Sequence, residues 1–156
     1  MQTLKEGARA PEFTVGSSGG REVSLKDYRG KKRVILYFYP KDDTPGCTVE
    51  ACTFRDNIKK IESRDTVVLG VSPDDGASHD KFITKFNLPF ILLSDTDKKV
   101  CQAYGVWVEK SMYGKTYMGV ARTTFIIGKD GKIEKIYEKV KPEGHAEEIL
   151  DFLKGN

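Results

Sequence analysis

Three observations in the sequence predict an α/β fold, a three-layer sandwich with helices on both faces of a central mixed sheet. Several short runs of β-branched and aromatic residues, led by Val34 to Tyr39, are apolar without alternation, the pattern of strands buried on both faces. Between the first two of these runs, Cys47, Ala51, Phe54, Ile58 and Ile61 recur at spacings of four, three, four and three, the stripe of an amphipathic helix. Strand, helix and strand in that order form a crossover unit, which packs helices onto the faces of one sheet.

The elements follow in order along the chain. From Pro11 to Leu25, Phe13 and Val15 precede Ser17-Ser18-Gly19-Gly20, and Val23 and Leu25 follow, so an N-terminal β-hairpin extension around a Gly-rich turn is expected. Val34 to Tyr39, bounded by a basic cluster and Pro40, is the central strand. Val67 to Val71, Phe90 to Leu93 and Thr123 to Ile127 repeat its pattern, while Ile133, Ile136 and Tyr137 follow the Asp130-Gly131 turn and close a hairpin, giving four or five strands. Phe82, Ile83 and Phe86 mark a second helix before Leu88-Pro89, Val100 to Tyr104 a short third, and Ile149, Leu150 and Leu153 a last one after Pro142-Glu143-Gly144. The segment Val106 to Gly119 has aromatic and Gly residues but no clear period and reads as loop. No repeat or linker interrupts the pattern, so residues 1–156 read as a single domain.

Composition narrows the function. A chain of 156 residues supports one hydrophobic core without a metal or disulfide scaffold. With 38% hydrophobic and 31% charged residues it reads as a soluble globular protein. Its 26 Lys and Arg and 23 Asp and Glu are interspersed, so no charge block argues for nucleic acid. Met1 to Gly7 hold no apolar h-region, and no stretch approaches the ~18 uninterrupted apolar residues of a membrane span, so a cytoplasmic address with no membrane partner is expected. Three cysteines are odd in number and too sparse for a disulfide framework. A reducing compartment is expected, and any disulfide in it would be transient.

The chemistry concentrates where the central strand meets the first helix. Cys47 sits at the carboxyl end of a buried strand and in the first turn of a helix, where partial positive charge and unpaired N–H groups favour a thiolate over a thiol. Cys52 follows five positions later. Five helical residues advance the axis by about 7.5 Å and turn it by about 500°, leaving the Cα atoms roughly 8 to 9 Å apart on different faces. A disulfide needs less than about 7 Å between Cα atoms. The spacing therefore predicts a cycle in which Cys47 is oxidised to a sulfenic acid, the first helical turns open, and Cys52 attacks to give a disulfide. As a bland alternative, both cysteines are small buried hydrophobes on a helix stripe. Zinc binding is disfavoured by the spacing of Cys47 and Cys52 and by the isolation of Cys101, His79 and His145, so no metal or other cofactor is expected. Cys101 reads as a packing residue, and His79 and His145 as surface residues near helix starts.

Pro40, Thr44 and Cys47 fall in the pattern P-x-x-x-T-x-x-C, with Glu50 three residues further and Arg122 just before Thr123-Thr124-Phe125, and this set resembles the peroxiredoxins. The stretch Pro-Lys-Asp-Asp-Thr-Pro-Gly-Cys-Thr-Val-Glu-Ala-Cys from Pro40 to Cys52 is similar to the bacterioferritin comigratory protein, or peroxiredoxin Q, subgroup. The likeness extends over nearly the whole chain and includes Leu93-Ser94-Asp95, Tyr104-Gly105-Val106 and Met112-Tyr113-Gly114-Lys115. It implies a thioredoxin-like fold and thiol-dependent reduction of hydrogen peroxide and organic hydroperoxides. By the same resemblance Cys47 is peroxidatic, Cys52 resolving, Thr44 offers its hydroxyl to the peroxide, Pro40 shields the pocket, and Arg122 stabilises thiolate and leaving oxygen. Glu50 is either the partner that orients Arg122 or a solvated helix residue.

Two departures qualify the likeness. Thr48 stands where many peroxiredoxins have Pro after the peroxidatic Cys, and Ile83 stands where some members of the subgroup carry their resolving Cys. Cys52 is left as the residue placed to resolve, with thioredoxin or a similar dithiol as the expected reductant. A monomer is expected, with a noncovalent dimer as the alternative. Competing activities are a thiol-disulfide oxidoreductase, which usually depends on a C-x-x-C motif absent here, and a redox sensor or holdase that exposes Phe54 on oxidation.

Overall fold

The computed structural model describes residues 4–155. Its strands are β1 (Thr14–Gly16), β2 (Glu22–Ser24), β3 (Arg33–Phe38), β4 (Thr66–Ser72), β5 (Ile91–Ser94), β6 (Trp107–Met112), β7 (Lys115–Val120), β8 (Thr123–Ile127) and β9 (Ile133–Tyr137). Its α-helices are α1 (Pro45–Asp56), α2 (Ile58–Glu62), α3 (Gly76–Phe86), α4 (Lys99–Ala103) and α5 (His145–Lys154). Five strands form one mixed sheet in the order β5-β4-β3-β8-β9, parallel from β3 through β5 and antiparallel across β8 and β9. The expected N-terminal ribbon is the antiparallel pair β1 and β2, joined through a short 3-10 turn at Ser18–Gly20.

The central strand explains the layering. Alternate side chains of β3 serve different cores: Val34, Leu36 and Phe38 join Phe13, Val23, Cys101, Tyr104 and Phe125 on one face. Ile35, Tyr37 and Tyr39 join Cys47, Ala51, Phe54, Phe82, Ile149 and Leu153 on the other. Helices α1, α2, α3 and α5 therefore cover one face, and the N-terminal ribbon and α4 cover the other. This is the three-layer arrangement of a thioredoxin-like fold, and it accounts for β3 being apolar at every position from Val34 to Phe38.

Two segments depart from the sequence reading. Val106 to Gly119, read as loop, holds the antiparallel hairpin β6–β7, turning at Tyr113 and Gly114, which both have positive φ (53° and 78°). Much of this ribbon is exposed, so no buried face imposes the apolar alternation that announces a strand. The single stripe from Cys47 to Ile61 is carried by two helices rather than one. At Asn57 the side-chain amide donates to the Thr53 carbonyl at 2.8 Å and the backbone N–H turns to the Phe54 carbonyl at 3.2 Å, so a side chain replaces the regular backbone bond and the axis breaks.

One glycine is fixed by close approach. Gly70 lies beside Tyr37 in the β3–β4 register, and a Cβ built there would come within 2.7 Å of Leu92 Cδ2 and 2.9 Å of Tyr37 Cζ. The Tyr37 ring has little room to retreat, since it stacks on Tyr39 at 5.4 Å and packs tilted against Phe54 at 4.7 Å between ring centroids. Gly70→Ala should therefore lower stability by about 1–3 kcal/mol through overpacking. Urea unfolding would show the loss as a lower midpoint with an unchanged slope, and an unaltered midpoint would contradict the packing argument.

Candidate active site

The chain leaves the sheet at Tyr39, passes Pro40, and enters α1 through Thr44, the N-cap residue, with Pro45 in the first helical position. Pro45 has no N–H, and the N–H groups of Gly46 and Cys47 lie in the first turn, where the helix offers them no acceptor. They point, with the positive end of the helix, toward whatever binds beside Cys47. The Thr44 hydroxyl donates to the Lys41 carbonyl at 2.9 Å rather than capping the helix, which leaves its oxygen as an acceptor. Pro40 is half-buried between β3 and this loop.

Cys47 itself is 1% exposed. Arg122, just before β8, reaches it from the neighbouring strand, and Nη2 donates to Cys47 Sγ at 3.3 Å while Nη1 donates to Glu50 Oε1 at 2.8 Å. Glu50 is fully buried one turn along α1, so it is the orienting partner and not a solvated helix residue. Burial opposes the charge of Arg122, yet Cys47 and then Glu50 together hold its pKa above the ordinary value. Burial pushes the Glu50 carboxyl up to about 7 against the pull of Arg122. Its other oxygen, Oε2, has no hydrogen-bond partner, and neither has the buried Tyr37 hydroxyl nearby. The Tyr37 phenol is kept protonated by burial first, then by the negative charges of Glu50 and Cys47.

Several contributors escaped the sequence reading. A Cβ on Gly46 would lie 3.2 Å from Arg122 Nη2 and 3.6 Å from Pro142 Cγ, so the missing side chain makes room for the guanidinium. The Arg122 carbonyl is held by the Val140 N–H at 3.0 Å. Lys110 of β6 is half-buried and close enough to sense the site: burial and then Arg122 lower its pKa, and Cys47 raises it. His79 and His145, expected at the surface, are 0% and 1% exposed. His145 bonds Glu148 and the Thr124 hydroxyl, while His79 bonds Asp42 and the Leu93 carbonyl. The bonds to Thr124, Asp42 and Leu93 join residues 14 to 37 positions apart, which periodicity does not report.

The remaining thiols are placed differently. Cys52 is half-buried, on the same uninterrupted stretch of α1 as Cys47, and all three cysteines are free. Cys101 packs in the opposite core, where burial and then Asp95 push its pKa far above the ordinary thiol range. No helix among the described residues is long and apolar enough to cross a membrane.

Comparison with known proteins gives a consistent answer. The AhpC/TSA family matches residues 7–136. The chain is 51% identical to a peroxiredoxin bcp of Coxiella burnetii over 97% of its own length and 99% of that protein's, and 47% identical to the peroxiredoxin Bcp of Bacillus subtilis over 97% and 96%. A structure of the Xanthomonas campestris bacterioferritin comigratory protein, described for its alkyl peroxide reduction activity, superposes with a TM-score of 0.89 at 37% identity, covering 99% of this chain and 98% of that one.

Glu50 gives the site a pH signature. With its folded pKa raised from 4.5 to about 7, the folded state keeps a proton that the unfolded chain releases, so stability falls as pH rises through that interval. A Glu50→Gln variant should lack this slope, and the difference in unfolding free energy between wild type and variant should change by on the order of 3 kcal/mol across the interval. Denaturant titrations of both proteins at several pH values would reveal it, and parallel pH profiles would count against a buried, raised Glu50.

Proposed function

The chain belongs to the AhpC/TSA family, in the Bcp or peroxiredoxin Q branch of the peroxiredoxins, and we propose that its peroxidase cycle runs through Cys47 as the attacking thiolate and Cys52 as the resolving thiol. It is a thiol-dependent enzyme that reduces hydroperoxides, and the family works with a thioredoxin-type reductant. What supports the residue assignment most directly is the 3.3 Å contact from Arg122 Nη2 to Cys47 Sγ, in a pocket where Glu50 fixes the guanidinium.

In the first step the Cys47 thiolate attacks one peroxide oxygen, a sulfur–oxygen bond forms, the O–O bond breaks, and the leaving oxygen departs as alkoxide or hydroxide to be protonated. Negative charge moves from sulfur to that oxygen, and the Arg122 guanidinium with the Gly46 and Cys47 N–H groups lies where it can follow the charge. The Thr44 oxygen, its own proton given to Lys41, accepts the hydrogen bond of the peroxide O–H. Pro40 shields the pocket from water. The second step needs α1 to unwind between Cys47 and Cys52, after which the Cys52 thiolate attacks the Cys47 sulfenic sulfur and hydroxide leaves as water. Thiol-disulfide exchange with thioredoxin or a similar dithiol restores both thiols.

The remaining assignments follow from this reading. A resolving residue within the same helix lets the cycle close inside one molecule, which favours a monomer with residues 1–156 working as one domain. A cytoplasmic address suits free thiols and a dithiol donor.

The cycle is tested by three substitutions in a thioredoxin-coupled peroxide assay. Cys47→Ser should abolish turnover, Cys52→Ser should complete one turnover and then stall without an external thiol, and Cys101→Ser should stay at wild-type rate. Peptide mapping after one equivalent of peroxide should find a Cys47 to Cys52 link. A link to Cys101, or sulfinic acid alone, would reject the assignment.

A further inference from the structure

The loop that delivers Cys47 is fastened at Asp42 by a buried network outside the peroxide pocket. Asp42 is 7% exposed, and its carboxylate accepts three hydrogen bonds: Tyr39 hydroxyl at 2.5 Å, Ser78 hydroxyl at 2.8 Å and His79 Nδ1 at 2.7 Å. Its backbone N–H donates to Asp74 Oδ2 at 2.8 Å, and that oxygen also takes the Ser72 hydroxyl at 2.7 Å. His79 is 0% exposed, its Nε2 donates to the Leu93 carbonyl on β5 at 2.9 Å, and its Nδ1 lies 2.7 Å from Asp42 Oδ2. The ring thus spans from the catalytic loop to the sheet. Asp42, Asp74 and His79 have the spacing of a metal-ligand group, but both Asp42 carboxylate oxygens, both His79 ring nitrogens and Asp74 Oδ2 are engaged in these bonds.

Beyond Asp42 the upstream ties are lighter, and the first turns of α1 are next held from β8's edge by Arg122, whose Nη2 donates to Cys47 Sγ at 3.3 Å and whose Nη1 donates to Glu50 Oε1 at 2.8 Å. Asp43 has a positive φ of 56° and is tied to α3 by an exposed ion pair with Lys85. Of the next bonds, the Thr44 hydroxyl to the Lys41 carbonyl ties the N-cap back to the loop on the near side of Asp42, and the Thr48 N–H to the Thr44 carbonyl opens α1. Disulfide formation between Cys47 and Cys52 must break helical bonds in this stretch, while nothing in it requires the Asp42 network to open.

We propose that the Asp42–His79 pair is the fixed pivot against which the first turns of α1 wind and unwind, positioning Cys47 for peroxide in the wound state. The proposal rests on the Cys47–Cys52 cycle above. Loosening the pivot removes the support that the wound turn has upstream, so the wound form is populated less. Two consequences of opposite sign follow. Reaction of Cys47 with peroxide slows, because Arg122 and the helix N–H groups meet the sulfur only in the wound form. Resolution by Cys52 holds or quickens, and the sulfenic acid has less time to meet a second peroxide and become sulfinic acid.

Two substitutions dissect the ring. The His79→Gln amide can reach the Leu93 carbonyl in place of Nε2 but gives up the Asp42 bond, whereas the His79→Asn amide can take the place of Nδ1 and keep it. In rapid-quench experiments with peroxide, thiol alkylation and mass spectrometry, H79Q should react with peroxide about tenfold more slowly than wild type. It should form less sulfinic acid per turnover with disulfide formation no slower, and H79N should recover most of the peroxide rate. Ser78→Ala and Tyr39→Phe each remove one donor to Asp42 and should shift both quantities in the same directions by less, so they carry the test if H79Q fails to fold. Unchanged peroxide and disulfide rates in these variants, or a parallel loss of both, would overturn the pivot while leaving the cycle intact. A wild-type protein that forms no Cys47 to Cys52 link would overturn the cycle itself.

Discussion

The site depends on one half-buried cation shared between two acids. The Arg122 side chain is 20% exposed, and Cys47 sulfur and the fully buried Glu50 carboxyl accept from its two terminal nitrogens, which offsets the water it has lost. The sheet makes this meeting geometric. Arg122 immediately precedes β8, whose Thr123 pairs with Phe38 at the end of β3, and the chain then turns through Pro40 into α1. The guanidinium and the helix start consequently face each other across one strand spacing, with Gly46 leaving the space between them open. Glu50 fixes one edge of the guanidinium, which leaves the other directed at sulfur. Arg122 is not interchangeable with Lys at such a site, since an ammonium offers no planar fork to hold both acceptors at once.

The same helix that builds the pocket keeps the two thiols apart. Cys47 gains its amide donors and its dipole only when α1 is wound, and Cys52 can reach it only when α1 is not. In the proposed cycle, attack and resolution are therefore competing demands on one short element, which has to be stable enough to react and weak enough to open. Its composition suits this. Ala51 and Phe54 anchor the middle of α1 in the core, whereas the residues ahead of Cys47 include Gly46 and two half-buried or exposed positions, Thr44 and Pro45. A first turn held by few apolar contacts is the part of a helix expected to open locally before the rest.

Much of this was legible before any coordinates. The unbroken apolar run at Val34 to Tyr39 marks the central strand, the stripe through Cys47, Ala51 and Phe54 marks the helix face, and the junction between them is where Arg122 and Glu50 meet Cys47. What escaped shares a physical cause. The β6–β7 ribbon lies largely in solvent, so burial left no periodic mark on Trp107 to Val120. His79 and His145 are buried through partners far along the chain, Leu93 and Thr124, and one-dimensional spacing carries no trace of such contacts. Glu50 looked equally suited to water because an isolated helix Glu usually faces it, and only the position of Arg122, 72 residues later, turns it inward. The break at Asn57 comes from one side-chain amide competing for a carbonyl, a local event that a regular stripe conceals.

The three cysteines show how far surroundings, rather than residue type, determine reactivity. Cys101 is as deeply buried as Cys47, yet it faces the Asp95 carboxylate, which also accepts from the N–H groups of Val100 and Cys101, so a thiolate there would meet negative charge without water. Cys47 meets a guanidinium and a helix start in place of a carboxylate. Burial alone would suppress both thiols, since removing water disfavours any anion. What distinguishes the surroundings of the two thiols is then the sign of the nearest charge, and beside Cys47 that charge is Arg122, just ahead of β8. The proposed peroxidase site is thus a property of the assembled sheet, with the P-x-x-x-T-x-x-C stretch supplying the sulfur and the donors, and the residue that leads into β8 supplying the positive charge.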